Sequence, residues 1–458
     1  MNQDVQARFL RYVKVDTMSD ENSGAHPSSD KQKDLARLIA QELDAMGFQR
    51  LEKDEPAAVA TTKHFATYVF DEEHCYLYGR LDGVGETSLQ SSSETKEDPK
   101  PRIGFIAHFD TSPEASGANV KPQIIEHYDG GEILLGGSTE AGNTEDGNAT
   151  DGNLEADSLK EGRRVLRPEE FPELLKYKGQ TLITSDGTTL LGADDKAGIA
   201  EILSMVHYYL THEEEPHAPI RFAFTPDEEI GEGTLYFDQK IFDADYAYTV
   251  DGGKIGELSY ENFNAAGATI RITGRNVHPG EAYGKMIHAA RLAMEIEAAL
   301  PVDEKPEKTR DHQGFFHLTE ISSDAAEATM HYIIRDHDAQ AFATKKETMQ
   351  QVCAEVEMAH PGAKIELIMN DTYFNMIDRI RPHMEIVERA AEAMRRCGIE
   401  PRIEPIRGGT DGATLSYRGL LCPNLCAGGH NFHGVYEFVS VEALERITEL
   451  LIEIARGR

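Results

Sequence analysis

The sequence has few basic residues relative to its acidic ones. Lys and Arg total 46 against 80 Asp and Glu among 458 residues, which gives a formal net charge of −34. A nucleic-acid-binding protein needs surplus cations to neutralise phosphates, and docking on anionic lipid needs them too. The composition therefore predicts that neither nucleic acid nor a membrane is a partner of this chain.

Long apolar runs, a secretory signal pattern and a cysteine framework are also missing. No apolar run approaches 18 residues, and the first 17 residues contain no apolar core of the signal-peptide kind. The five cysteines have no regular spacing, and Cys422 and Cys426 have no second pair with which to hold zinc. We expect a cytoplasmic protein whose cysteines are ordinary thiols.

The length and the apolar patterning predict a larger α/β domain interrupted by a smaller one. A chain of 458 residues suits two or three domains. Compact apolar segments that end in His, Asp or Glu alternate with amphipathic helices, which is typical of buried α/β strands. Residues 263–375 instead follow a strand-helix-strand-strand-helix-strand order with half-exposed strands, which predicts an α+β domain. The larger domain then consists of 1–262 and 376–458.

One segment of the larger domain has the composition of a surface insertion. Residues 136–162 are rich in Gly, Ser, Thr, Asn and acid, and almost no side chain there can join a core. Such a segment cannot offset the entropy lost on ordering, so we expect it to be mobile. Its loose N-x-x-D-G repeat is no calcium loop, because the ligand ladder ending in Glu is missing.

Five separated segments carry residues that bind metals in proteins. His108 and Asp110 are two positions apart at the end of an apolar segment, so a strand would place both on one face. Asp194 and Asp195 precede a helix, and an N-cap role explains one of them but not both. The other segments contribute Asp227-Glu228-Glu229, Asp251 in VDGG and His433 in GGHNFHG. Each segment alone also has a structural explanation, such as a solvated acidic turn.

The combination of these segments predicts a metal centre. Side chains at the carboxyl ends of sheet strands converge on the crevice where α/β enzymes bind substrates. Two imidazoles and three carboxylates can hold two Zn²⁺ ions, because the carboxylates and one hydroxide balance their charge. Such ions lie about 3.5–4 Å apart and activate water for attack on a carbonyl. A remaining carboxylate would serve as a general base.

Seven motifs stand in a fixed order along the chain: HFDTSP, LLGADDKAG, TPDEEIGEG, TVDGG, NVHPG, IRGGTDG and GGHNFHG. Their order and spacing resemble those of the M20 family of co-catalytic zinc peptidases. Their residue sequences are most similar to those of the tripeptide aminopeptidases of that family. The resemblance extends from about residue 5 to the last helix. It implies an α/β catalytic domain with a central mixed sheet flanked by helices. A smaller α+β, ferredoxin-like lid domain would interrupt that catalytic domain.

The resemblance also implies a role for each motif residue. The ligands of the two Zn²⁺ ions would be His108, Asp194 and Asp251 for one and Asp194, Glu229 and His433 for the other. Asp194 would thus bridge the pair. Asp110 would orient the imidazole of His108, and Glu228 would be the general base.

Four further polar residues are candidates for binding a tripeptide. Arg335 in the inserted domain, with Arg407 and Thr410 in IRGGTDG of the larger domain, would hold the C-terminal carboxylate, since Arg grips carboxylates through two N–H groups. His278 in NVHPG resembles the family's inserted-domain histidine, which stabilises the substrate carbonyl oxygen. Ordinary surface salt bridges are the alternative explanation.

The sequence therefore predicts a hydrolase, a dizinc aminopeptidase that removes the N-terminal residue from tripeptides. A related dipeptidase, carboxypeptidase or N-acyl-amino-acid deacylase would use the same metals and remains an alternative. A non-catalytic acidic binding protein is a remote one. The sequence leaves open whether the chain forms a homodimer.

Overall fold

The computed structural model describes residues 2–53, 66–84, 100–136 and 164–457. The chain forms two compact units. Unit 1 consists of Met1–Leu258, His383–Ile403 and Leu420–Arg458, and unit 2 of Ser259–Pro382 and Glu404–Gly419. The predicted insertion at 136–162 lies, apart from its first residue, outside the described residues.

Ten helices and nineteen strands occur within the described ranges. The helices are α1 Asn2–Tyr12, α2 Gln32–Ala45, α3 Ala193–Thr211, α4 Gln239–Phe242, α5 Ala289–Ala299, α6 Ala339–Ala359, α7 Ile377–Ile380, α8 Glu385–Arg396, α9 Asp411–Tyr417 and α10 Val441–Ala455. The strands are β1 Gln49–Leu51, β2 Ala66–Asp71, β3 Tyr76–Leu81, β4 Ile103–His108, β5 Gln123–Ile125, β6 Ile133–Leu134, β7 Val165–Leu166, β8 Leu182–Thr184, β9 Ile220–Thr225, β10 Tyr246–Gly252, β11 Glu257–Ser259, β12 Asn264–Thr273, β13 Phe315–Ser323, β14 Glu327–Asp336, β15 Lys364–Tyr373, β16 Arg402–Ile403, β17 Asn424–Cys426, β18 Gly429–His430 and β19 Phe438–Ser440.

A nine-stranded mixed sheet forms the centre of unit 1. Its strand order is β1-β2-β3-β9-β4-β10-β17-β11-β16. The central strands β9, β4, β10 and β17 run parallel, whereas β3 is antiparallel to both of its neighbours. Every residue of β4 and β9 is buried, as predicted for strands covered on both faces. The carboxyl ends of these parallel strands therefore meet at one edge of the sheet.

Helix α3 packs against this sheet and brings its first residues to the same edge. Its apolar periodicity predicts a stripe of five residues, of which Ile199, Ile202, Leu203 and Val206 are fully buried and Leu210 is partly exposed. Asp194 and Asp195 have non-helical backbone angles, and the Oδ1 atom of Asp195 accepts a hydrogen bond from the Gly198 N–H at 3.2 Å. Asp195 thus caps the regular part of the helix, which leaves the Asp194 side chain available for another role.

Unit 2 has the predicted βαββαβ order, formed by β12, α5, β13, β14, α6 and β15. Its four strands make an antiparallel sheet in the order β13-β14-β12-β15. Buried residues alternate along β14, and its buried side chains pack against α5 and α6 in one core. The fold class predicted from the sequence, including the ferredoxin-like part, is confirmed.

None of the helices in the described ranges is both long enough and apolar enough to span a bilayer.

Candidate metal centre

The five candidate ligands lie together in unit 1. His108 Nε2 is 2.9 Å from Asp194 Oδ1 and 3.4 Å from Asp251 Oδ1. His433 Nε2 is 2.9 Å from Glu229 Oε2 and 3.5 Å from Asp194 Oδ2. The carboxylate of Asp194 therefore directs one oxygen toward each histidine.

Local structure explains how these side chains reach one place. His108 ends β4, and Asp251 lies at the end of β10, its parallel neighbour. Glu229 belongs to a 3-10 turn, Glu228–Ile230, that follows β9. His433 lies in the loop between β18 and β19 with a φ of 61°, a left-handed conformation that is uncommon outside glycine and is concentrated at functional sites.

A small residue lets helix α3 approach β10 closely. A Cβ atom at Gly198 would collide with the carbonyl oxygen of Val250, so a larger side chain would push the helix away from the strand. The backbone also approaches closely at VDGG, since a Cβ at Gly252 would lie 2.8 Å from the Leu425 carbonyl oxygen. The contact between Gly198 and Val250 keeps the start of helix α3, which carries Asp194, close to Asp251 at the end of β10.

The electrostatics of the cluster favour added positive charge. Burial raises the pKa of Glu229 to about 8 and that of Asp251 to about 6. Hydrogen bonds to Asp194 and Glu229 raise the pKa of His433 to about 11. Burial lowers the pKa of His108, but hydrogen bonds to neighbouring carboxylates raise it well above its usual range. The crowded carboxylates thus attract cations strongly.

The donor set fits divalent metal ions. The Oε1 atom of Glu229 is buried and accepts no hydrogen bond from any described residue, a costly arrangement for a carboxylate. Potential ligand atoms of His108, Asp194 and Glu229 lie within 4.8 Å of one another, and so do those of His108, Glu228 and Asp251. Imidazole and carboxylate together are suitable ligands for Zn²⁺.

Asp110 connects the first histidine to the glutamate turn. Its side chain is fully buried, and its Oδ1 atom lies 3.3 Å from His108 Nδ1. The same carboxylate accepts hydrogen bonds from the backbone N–H groups of Glu228 (3.0 Å) and Glu229 (3.1 Å). Asp110 therefore orients the imidazole and fixes the turn that carries both glutamates.

Asp227 anchors the same turn from its other side. Its backbone is left-handed, with a φ of 56°. Its carboxylate accepts hydrogen bonds from the Ser28 N–H at 2.7 Å and from Gln32 Nε2 at 2.6 Å. Gln32 Oε1 in turn accepts the Asp227 N–H at 3.1 Å. These contacts offset the cost of the strained backbone.

Three more carboxylates lie close to the cluster, and two of them, Glu114 and Glu437, were not predicted from the sequence. Asp195 Oδ2 accepts the His108 N–H at 3.3 Å, and the adjacent-aspartate pattern was a signal for it. Glu114 Oε1 lies 3.7 Å from His433 Nδ1. Glu437 binds the backbone at Asp194, and no spacing in the sequence indicates this.

The four candidate substrate-binding residues all belong to unit 2. Arg407 and Thr410, which the sequence assigned to the larger domain, are in its second segment. Arg335 Nη1 donates to the Arg407 carbonyl oxygen at 3.2 Å. Thr410 caps α9, and the exposed His278 accepts the Gly280 N–H through Nδ1 at 3.2 Å. The two arginines are thus neighbours, while the other two residues bind backbone in their own turns.

The two arginines differ in how fully they are engaged. Arg407 Nη1 donates to the Asp311 carbonyl oxygen at 2.6 Å, and its Nη2 donates to Thr309 Oγ1 at 3.0 Å. Arg335 Nε is buried and donates to no described residue. Arg335 therefore keeps a donor for a ligand.

The chain is similar to known proteins of one peptidase family. A model of "Peptidase family M20/M25/M40" matches residues 183–457. Peptidase T of Bacillus subtilis (strain 168) is 45% identical over 456 residues, which cover 100% of this chain and 98% of that protein. Two solved structures share the fold, with TM-scores of 0.70 and 0.59. The first is aminopeptidase PepT from Bacillus cereus ATCC 10987, at 20% identity over 100% of this chain and 98% of that one. The second is a dinuclear metal-binding M20 peptidase from Bacillus subtilis, which is 13% identical and is matched over 99% of this chain and 97% of its own. A full-length relative at 45% identity shows common descent, and this chain belongs to the peptidase T group of the M20 peptidase family.

Proposed function

We propose that this chain is a metal-dependent aminopeptidase that removes the N-terminal residue from tripeptides. The observation that carries the proposal is the cluster of two histidines and three carboxylates in a member of the peptidase T group. Its ligands for two Zn²⁺ ions would be His108, Asp194, Glu229, Asp251 and His433. Two such ions, once bound, polarise the scissile carbonyl and lower the pKa of the attacking water.

Asp110 and Glu228 would supply the proton chemistry. His108 Nδ1 is 3.1 Å from the carbonyl oxygen of Asp110 and 3.3 Å from its Oδ1 atom, so a proton on Nδ1 would leave Nε2 as the ligand atom. Glu228 would take a proton from water while the water oxygen attacks the carbonyl carbon. The same carboxyl group would then give that proton to the amine nitrogen as the C–N bond breaks, so that the charges balance.

Unit 2 would bind the C-terminal carboxylate of the peptide. Arg335 has a buried donor without a partner among the described residues, which suits a carboxylate ligand. Arg407 lies with its guanidinium 5.1 Å from the Phe263 ring centroid and 5.7 Å from that of Phe315. Because its N–H groups already bind backbone and Thr309, Arg407 would position Arg335 through its own carbonyl group. Thr410 and His278 remain candidates for further contacts, with His278 on the substrate carbonyl oxygen.

The test is a substrate panel assayed with defined metal content. The protein is stripped of metal, reloaded with Zn²⁺ and given a tripeptide, a dipeptide and an N-acyl amino acid. We expect release of the N-terminal residue from the tripeptide, with two Zn²⁺ per chain by elemental analysis. Preferred cleavage of the dipeptide or the acyl amino acid would contradict the proposal. A cytoplasmic location and a homodimer stay predictions.

A further inference from the structure

Glu437 makes a set of contacts that the proposed chemistry does not use. Its side chain is 1% exposed. Its Oε2 atom accepts the N–H groups of Leu191 at 2.7 Å and Gly192 at 2.8 Å, and its Oε1 atom those of Ala193 at 2.6 Å and Asp194 at 3.2 Å. Both oxygens of the carboxylate thus accept two backbone N–H groups each, four in all.

A helix-capping role does not account for these contacts. The regular part of α3 already has a cap, because Asp195 accepts the Gly198 N–H. The N–H groups that Glu437 binds belong to the irregular turn 191–194, in which Gly192 has a φ of 84° and Asp194 is non-helical. Glu437 therefore fixes the backbone that carries the Asp194 side chain.

Glu437 also joins two segments that carry candidate ligands. It lies four positions after His433, between β18 and β19, and it binds the turn that ends at Asp194. His433 Nε2 and Asp194 Oδ2 are 3.5 Å apart. One buried carboxylate thus restrains the backbone of Asp194 and is close in sequence to His433.

We infer that Glu437 is a positioning residue that holds Asp194 in place between the two metal positions and thereby sets metal affinity. The inference rests on the proposed function, because it needs Asp194 to bridge two ions. Partners that orient metal ligands typically change affinity or activity by about 10–100-fold when removed.

Two variants separate positioning from general stability. In Glu437→Gln the amide nitrogen cannot accept, so two of the four N–H groups lose their acceptor. Glu437→Asp keeps the charge, but its shorter side chain reaches less of the turn. The matched control is Glu453→Gln, since Glu453 is also buried and binds Arg396 Nε at 2.6 Å and Arg456 Nη1 at 2.7 Å.

The measurement is Zn²⁺ affinity by competition with a chelator, together with the Zn²⁺-dependent shift in the urea unfolding midpoint. We expect about 10–100-fold weaker Zn²⁺ binding in both Glu437 variants. The control should lose stability but keep the affinity of the parent within about twofold. The shift in midpoint reports binding even in a destabilised variant, because a ligand of the folded state raises stability by mass action.

The outcomes are distinguishable. A parent protein that binds no Zn²⁺ would refute the proposed function itself. A parent that binds two ions, with a folded Glu437→Gln that binds them equally well, would refute only the inference. If Glu453→Gln loses as much Zn²⁺ affinity as the Glu437 variants, the effect belongs to general stability and the inference is also refuted. If neither Glu437 variant folds at any Zn²⁺ concentration, Glu437 is a folding residue and the inference is wrong.

Discussion

The metal cluster of unit 1 and the arginine pair of unit 2 are assembled in opposite ways. In unit 1, acidic side chains from several segments crowd around two histidines, and the buried Oε1 atom of Glu229 has no partner among the described residues. In unit 2, Arg407 donates hydrogen bonds to carbonyl oxygens and to a threonine hydroxyl. The Nε–H of Arg335 has no acceptor among the described residues. The first region has more carboxylates than imidazoles, whereas the second holds a nearly complete local network.

This difference teaches how strongly each region should depend on its ligand. Buried carboxylates that outnumber their positively charged neighbours are costly, so we expect the cluster to need metal cations for its working arrangement. Arg407 already has protein partners for its N–H groups. We therefore expect catalysis to depend absolutely on the cluster and only by degrees on the arginines.

Metal removal should have the largest effect. Treatment with a chelator should abolish tripeptide cleavage, because the imidazoles and carboxylates of the cluster would serve as ligands and a divalent ion would activate the water. Added Zn²⁺ should restore the rate, and elemental analysis should give two ions per active chain. Full activity in a metal-free preparation would contradict the role that we assign to the cluster.

Replacing the general base should have the next largest effect. Glu228→Ala should lower kcat by about 10²–10⁴-fold with the metal content unchanged, since general-base help is worth that much. Glu232→Ala is the matched control, because this side chain lies just beyond the same turn and is 48% exposed. If Glu228→Ala loses zinc, then Glu228 and Glu229 have been assigned the wrong way round. Near-normal turnover of Glu228→Ala would show that Glu228 is not the general base and only belongs to a solvated acidic turn.

The arginine pair should have a moderate effect that depends on the substrate. Converting the C-terminal carboxylate of a tripeptide into an amide should lower kcat/KM at least tenfold, which corresponds to about 1.4 kcal/mol. Arg335→Ala should erase most of that difference, and Arg407→Ala should erase less. Arg310→Ala, at a side chain that is 87% exposed, should leave it unchanged. Equal cleavage of acid and amide by the parent would exclude this anion site.

The segment 136–162 should have the smallest effect. Replacing it with a short Gly-Ser linker should leave the melting temperature nearly unchanged, because each doubling of loop length costs only about 0.6 kcal/mol. The segment lies outside the described residues apart from its first one, so its composition alone supports this prediction. A large drop in melting temperature would show that it packs against the protein.

Much of the fold was predictable because its signals are local. The continuous apolar segment of β4 predicts a buried strand. The alternation of apolar and polar residues along β14 predicts a half-exposed strand. The family and the function were predicted from motifs that carry chemistry, and the comparisons confirm both. The alternatives, including the deacylase and the acidic binding protein, are not favoured.

The supporting contacts were not predictable, because they join distant positions through backbone groups. Nothing in the sequence near Glu437 indicates that its carboxylate binds the N–H groups of residues 191–194. The hydrogen bonds between Gln32 and Asp227 likewise could not be predicted, since nothing in the local sequence of either residue indicates the other as its partner. The residue assignments for the metal and substrate sites stay predictions until the variants above are measured.

The division of unit 1 into separate chain segments has a consequence during protein synthesis. Asp251 and His433 are 182 positions apart (433 − 251), and both segments of unit 2 lie between them. At about 5–20 residues per second, a ribosome needs about 10–40 s to make that interval. Strand β10 meanwhile lacks its parallel neighbour β17, so one of its edges is open to other chains. The nascent protein should therefore depend on chaperones until residues 424–426 close that edge, and it can acquire its full set of metal ligands only after that.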